Sequence, residues 1–397
     1  MRVLCATTAG EGHFGPLRAL AQACHAEGHE VRVAAPASFA QSVARAGLTH
    51  EPFPDAPAEA ISAVFAALPT LTHDEANRRV LADVFGRLDA QAALPGLQAA
   101  IDRWRPDVVL REPSELGSLA AAEAAGVPHA EVAIGVAAMW NLARGPLAEP
   151  LDELGAIVGV GAGHLMGAAG RSPVFTMVPE RLDEAVAASG PDRVPDRRVV
   201  RYRVGGDVGA GRLPEPWGDP DSPLVYVTFG TVAGGTGQMG GLFSSVVDVL
   251  SDLPVRVFLT TGLGESLPTA ELPPNAHVEQ FWPQDQVMPL AAAVVGHGGF
   301  GTTMTAPAAG VPQVVVPLFA SDQHLNAQAV AASGAGVSLP GGPGALPDLA
   351  AAVTRVVAEP GFAARAAEVA AHVAALPAAS GVVEDVRGIA GSGATTP

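Results

Sequence analysis

Residues 281–328 read FWPQDQVMPLAAAVVGHGGFGTTMTAPAAGVPQVVVPLFASDQHLNAQ, and this stretch decides the fold. An apolar run, Ala291 to Val295, stops at Gly296-His297-Gly298-Gly299. A helix-compatible segment begins at about Thr302, a second apolar run covers Gln313 to Pro317, and a polar cluster follows at Ser321-Asp322-Gln323. The order predicted is strand, glycine-rich turn, helix, strand and polar loop, a unit of a parallel α/β sheet. Glycines in such a turn let the backbone approach a ligand closely. Free N–H groups at Thr302 and Thr303, with the helix dipole behind them, make a seat for phosphate. A bare Gly-Gly turn would predict only a tight connection. Here His297, two threonines and a distal Asp-Gln pair stand at the ends of successive strands, where open α/β sheets bind ligands.

A second unit of this kind opens the chain. Arg2 to Thr7 reads as a buried strand, Gly10 to Gly15 as a glycine-rich loop, Pro16 to Gly28 as a helix and Glu30 to Ala35 as the next strand. The loop spells Gly10-x-Gly12-x-x-Gly15, letter for letter the dinucleotide fingerprint. A NAD site also needs a carboxylate at the carboxyl end of the second strand. That end is Ala34-Ala35-Pro36; Glu30 lies at the other end, and no basic residue is present for NADP. The dinucleotide reading is rejected. The loop carries His13, whose imidazole titrates near a working pH and suits proton transfer. Among eleven histidines a His alone means little, and His29, in a helix-to-strand turn, reads as structural. A later strand, Pro106 to Leu110, ends near Glu112 and Glu115; the latter also reads as a charge at a helix start, with Ser114 as its N-cap.

At 397 residues the chain is long enough for two domains, and with 48% hydrophobic and 16% charged residues it can bury a large core. A net charge of −17 argues against nucleic acid or an anionic membrane surface as partner. Cys5 and Cys24 sit in apolar runs and read as buried thiols in a reducing cytoplasm. The N-terminal apolar run is too short for a signal peptide, and no stretch reaches a membrane span of about 18 apolar residues. Residues 213–223 hold Pro214, Pro216, Pro220 and Pro223 and read as a linker. Within it, Asp219-Pro220-Asp221 is a DxD string, read as turn chemistry, and no metal cluster is expected elsewhere.

Together these motifs resemble the family 1 glycosyltransferases with the GT-B fold, above all the bacterial enzymes that attach deoxysugars to antibiotics and other natural products. The resemblance implies an α/β protein of two facing Rossmann-like domains with a cleft between them. It implies an acceptor-binding domain at 1–212, a nucleotide-sugar domain at 224–376, and a terminal helix, 377–397 with its tail, crossing back to the first domain. It makes His13 the general base, and Glu112, where the family commonly has Asp, its partner; Glu115 is the alternative. On the donor side it implies Thr231 beside the phosphates and sugar, and Phe281 or Trp282 stacking on the nucleobase with Gln284 at the base edge. His297 would contact the pyrophosphate, with Gly299, Thr302 and Thr303 completing the phosphate seat, and Asp322 and Gln323 would bind the sugar hydroxyls. Thr305 stands where UDP-sugar enzymes commonly carry a ribose-binding Glu, which favours a dTDP-deoxysugar.

The expected reaction is inverting, metal-independent transfer to a hydrophobic small-molecule acceptor, without a cofactor, in the cytoplasm. Segments 49–71, 72–103, which reads as one or two long helices, and 135–171, with Met139, Trp140, Leu165 and Met166, would build the acceptor pocket. A homodimer is compatible with this reading. Rival readings are a sugar-nucleotide epimerase of the same fold and a non-catalytic activator of a transferase.

Overall fold

The computed structural model describes residues 1–187, 196–204, 211–214, 216–230, 241–262 and 272–392. Thr231 lies outside them. The chain divides into two compact units. Unit 1 comprises Met1–Met177, Pro191–Val204 and Leu376–Pro397; unit 2 comprises Val178–Gly190 and Gly205–Ala375.

Unit 1 is built on a parallel sheet of β1 (Arg2–Ala6), β2 (Glu30–Pro36), β3 (Thr49–Phe53), β4 (Val108–Arg111), β5 (His129–Val132), β6 (Val174–Thr176) and β7 (Val199–Arg201). Their order across the sheet is β3-β2-β1-β4-β5-β6-β7. Val3, Leu4, Cys5, Val33, Val108, Val109 and Leu110 are fully buried, as expected for central strands covered on both faces. Three strands go beyond the apolar runs of the sequence. β3 contains Pro52 at a sheet edge, and β5 carries His129 and Glu131. The third, β13 (Gly336–Ser338) in unit 2, is only three residues long.

Unit 2 repeats the design with β8 (Leu224–Thr228), β9 (Arg256–Thr260), β10 (Ala276–Glu279), β11 (Ala293–Gly296), β12 (Gln313–Val315) and β13, ordered β10-β9-β8-β11-β12-β13. The segment around helix Glu180–Ala187 belongs to this unit although it lies within residues 1–212. Conversely, Val382, Val383, Val386 and Ile389 are buried in the unit 1 core with Val3, Cys5 and Phe14. Burying side chains of this size stabilises by about 1.5–3 kcal/mol each, so the chain end is an integral part of unit 1. No helix among the described residues is long and apolar enough to cross a membrane.

Both sheets reverse their winding at one pair of strands, β1 beside β4 and β8 beside β11. Ala6 pairs with Arg111 in the first and Thr228 with Gly296 in the second. The chain therefore leaves each pair of strands at one level, and the loops that follow meet. That is the ligand-binding point of an open α/β sheet.

Candidate active site

At the first reversal the helix starts at Glu11, with Gly10 as its N-cap, and runs to Ala26. The loop expected at 10–15 is thus largely helix, and His13 is its third residue. The cause is burial. Phe14, Leu17, Leu20, Ala21 and Cys24 form an apolar stripe at helical spacing that begins before Pro16. A Cβ on Gly12 or Gly15 would meet nothing within 4 Å. At Gly15, the third glycine of the fingerprint, the close helix-to-strand packing of a dinucleotide site is therefore missing.

His13 Nδ1 lies 3.2 Å from Glu112 Oε2 and 3.2 Å from Thr8 Oγ1. The Glu112 side chain is fully buried. It accepts the Thr8 amide at 3.1 Å, the Thr8 hydroxyl at 3.0 Å and the Ser114 amide at 2.7 Å. Burial raises its pKa, but His13 and these donors together outweigh burial and hold it below the ordinary carboxylate value. Glu112 is therefore ionised, and Nδ1 is the nitrogen that carries the proton toward it. Nε2 is left with the lone pair.

Glu115, the alternative partner, instead caps helix Leu116–Ala125 by accepting the Ser118 amide at 2.8 Å, a role expected for Ser114. Burial pushes its pKa up to about 7. Two neighbours of His13 carry no sequence motif. The π-wound segment Val80–Asp89 brings the Phe85 ring to 5.6 Å from the imidazole. It also brings Asp89, which burial and then the Glu112 charge push up to about 6. Unit 1 also holds a cavity of about 490 Å³ lined by Trp140, Asn141, Arg144, Gly145 and Met166.

At the second reversal the helix is Phe300–Ala308, capped by Gly299, so it starts before Thr302. The Thr303 amide donates to the Gly299 carbonyl at 3.0 Å, its hydroxyl to the same oxygen at 2.9 Å, and the residue is buried. The amides of Phe300, Gly301 and Thr302 have no intrahelical acceptor, so the expected free amide is found at Thr302 but not at Thr303. Gln284 donates to Thr302 Oγ1 at 2.9 Å. It thus orients Thr302, whose own hydroxyl proton remains to be donated.

His297 sits between two glycines. A Cβ on Gly230 would come within 2.9 Å of its ring, and one on Gly299 within 2.5 Å. Its Nδ1 is buried and has no hydrogen-bond partner among the described residues. Burial lowers its pKa to about 4, so the ring is neutral near pH 7. The Gln323 side-chain oxygen accepts the Leu318 and Phe319 amides at 2.8 and 3.2 Å, leaving its NH₂ as the available end. Asp322 occupies the first turn of helix Ser321–Ser333. Asn326, unmarked by any motif, is fully buried and ties the glycine turn down by donating to the Gly298 carbonyl at 2.8 Å.

Of the two aromatic residues, Trp282 is committed. Its Nε1 donates to the Arg212 carbonyl at 3.0 Å and its ring meets Phe258 edge-on at 5.9 Å. Phe281 is 69% exposed and is the ring open to a ligand. Asp219 closes a turn by accepting from the Asp221 amide and the Ser222 hydroxyl. Among the described residues no group of three or more His, Cys, Asp or Glu could hold a metal ion.

Residues 22–153 and 244–389 match the N-terminal and C-terminal domain models of the erythromycin biosynthesis protein CIII-like family. The elloramycin glycosyltransferase ElmGT of Streptomyces olivaceus is 34% identical, with 96% of each chain covered. The chain belongs to the erythromycin CIII-like antibiotic glycosyltransferases. Another relative, the L-demethylnoviosyl transferase of Streptomyces niveus, is 33% identical over 86% of this chain and 85% of that one. Among solved structures, SnogD of Streptomyces nogalater superposes with a TM-score of 0.75 at 26% identity, covering 98% of this chain and 99% of that one. VinC, solved in complex with dTDP, superposes at 0.76 with 24% identity, covering 99% and 100%. The two parallel-sheet units are the two domains of the GT-B fold, and the chain is a natural-product glycosyltransferase enzyme of that family.

Proposed function

We propose that this enzyme transfers a deoxysugar, with inversion and without a metal ion, from a dTDP donor to a hydroxyl of an apolar natural-product acceptor. The observation that carries the reading is the His13–Glu112 contact, with Nδ1 turned to an ionised carboxylate and Nε2 left basic. Nε2 takes the proton of the acceptor hydroxyl as that oxygen attacks the anomeric carbon, and the imidazolium formed is stabilised by Glu112. The nucleoside diphosphate departs from the opposite face of the sugar. The amides of Phe300, Gly301 and Thr302, the Thr302 hydroxyl and the neutral His297 ring are the groups proposed to meet its growing charge. These preorganised donors favour departure without a divalent ion.

Phe281 is the proposed stacking partner of the base. Asp322 and the NH₂ of Gln323 are the proposed sugar contacts. Thr305, whose hydroxyl is turned back to the Gly301 carbonyl at 2.8 Å, supplies no carboxylate for a ribose 2′-hydroxyl, which supports dTDP over UDP. The cavity beside Trp140 and Met166 is proposed as part of the acceptor site.

The test is to supply dTDP- and UDP-linked sugars with a panel of hydroxylated polycyclic acceptors and to read the anomeric configuration of the product by NMR. Inversion from a dTDP-deoxysugar is expected. A product that keeps the donor's configuration, or uniform preference for UDP-sugars, would sink the reading.

A further inference from the structure

Thr8 touches both members of the proposed catalytic pair, and nothing in the sequence marks it out. It follows β1, is 4% exposed, and makes three contacts in the site through two groups, its amide and its hydroxyl. Its amide donates to Glu112 Oε1 at 3.1 Å and its hydroxyl donates to the same oxygen at 3.0 Å. Its hydroxyl oxygen also lies 3.2 Å from His13 Nδ1.

A hydroxyl has a single proton. Glu112 is ionised and acceptor-only, so that proton belongs to Oε1. The contact with His13 must then run the other way, with Nδ1–H donating to a Thr8 lone pair. The imidazole N–H thus faces two acceptors at equal distance, Glu112 Oε2 and Thr8 Oγ1.

We infer that Thr8 is a positioning residue of the catalytic pair, completing a closed His13–Thr8–Glu112 triangle that fixes both the tautomer and the tilt of the base. The inference rests on His13 being the base. It also explains how a glutamate serves in this pair. The carboxylate is clamped by the Thr8 amide and hydroxyl on one oxygen and by the Ser114 amide on the other. That clamp removes the rotational freedom of the longer side chain. When Nε2 gains the acceptor's proton, Nδ1–H becomes a stronger donor, and both of its acceptors stabilise the cation.

The experiment reads the ring itself, without donor or acceptor. Isotope-labelled histidine is titrated by NMR in the full-length protein, with the His13 signal assigned by its loss in His13→Ala. In Thr8→Val the imidazolium loses one of two acceptors, while Glu112 Oε1 keeps the Thr8 amide. The His13 midpoint should fall by about half a pH unit or more, and the neutral ring should lose its exclusive Nδ1–H tautomer. Thr8→Ser should restore both properties. Thr8→Ala, which adds no bulk, should repeat the valine result and stands in if valine disturbs the loop.

A midpoint that stays or rises in Thr8→Val and Thr8→Ala overturns the inference. So does an equal shift in Thr8→Ser, which would assign the effect to the methyl group. These outcomes leave the transferase reading untouched, and failure of transfer in the donor panel would leave the ring titration valid.

Discussion

Both units place a histidine at the strand reversal, one in the segment after β1 and the other directly after β11, and they treat it in opposite ways. His13 follows the reversal at β1 and β4 and leans on a buried, ionised Glu112. His297 follows the reversal at β8 and β11, with glycines on its flanks and no partner for Nδ1 among the described residues. In the proposed reaction the first ring accepts a proton and holds the charge. The other is kept neutral by desolvation, so it is fitted to donate a hydrogen bond and not to titrate. Each reversal gathers an imidazole, from a different strand end in each unit, and the residues around it fix what it does.

The comparison is broken most directly at His13. Replacing it with Ala should cut transfer by about 10²–10⁴-fold, the usual worth of a positioned general base. Affinity for dTDP, measured by calorimetry, should stay within about twofold, because the proposed phosphate seat lies in the other unit and does not draw on His13. Transfer at near wild-type rate would remove His13 from the reaction.

The next largest effect is expected from pH and His297. Its folded pKa, about 4, lies below the 6.5 of an unperturbed histidine. As the pH drops, the unfolded chain takes up this proton first. The stability tied to the neutral ring is therefore complete above pH 6.5 and is lost as the pH falls from 6.5 toward 4, by up to about 3 kcal/mol. Urea unfolding of wild type and His297→Asn across that window should show a shallower decline in the variant; parallel curves would mean that the ring is not desolvated. Glu112, with its pKa held low, acts in a different window. Its contribution is complete above the unfolded value of 4.5 and fades only below it.

Glycines give the smallest and most local contrast. A Cβ at Gly299 would press to 2.5 Å from the His297 ring, whereas one at Gly12 meets nothing within 4 Å. Gly299→Ala should weaken dTDP binding about tenfold by displacing the ring. Gly12→Ala, inside a helix, should raise stability by up to about 1 kcal/mol. Equal effects of the two in thermal unfolding and dTDP titration would erase the distinction drawn between the two sites.

Much of this was legible in sequence because it depends on local composition. The Val- and Leu-rich runs around residues 3–5, 108–110, 225–227 and 293–295 could only be buried parallel strands. Glu112 and His297 stand two residues after such runs, and His13 stands in the glycine-rich stretch that follows the first of them. What could not be read depends on partners far along the chain. Thr8 matters because of Glu112, Gln284 because of Thr302, and Asn326 because of the Gly298 carbonyl. β5 went unread because its charges are neutralised inside the fold, where Glu131 meets Arg197 at 3.2 Å and His129 meets Glu123 at 2.8 Å. The helix start at Glu11 was hidden by the glycines, whose poor intrinsic propensity is overridden by the apolar stripe behind them.

The chain passes from one unit to the other four times, at 177/178, 190/191, 204/205 and 375/376. A hybrid enzyme spliced from two relatives at a single junction near residue 213 would therefore carry a mismatched helix Glu180–Ala187 in one half and a foreign carboxyl-terminal helix in the other. Grafts meant to exchange donor preference must transplant residues 178–190 and 205–375 together and leave the final twenty-two residues with the host.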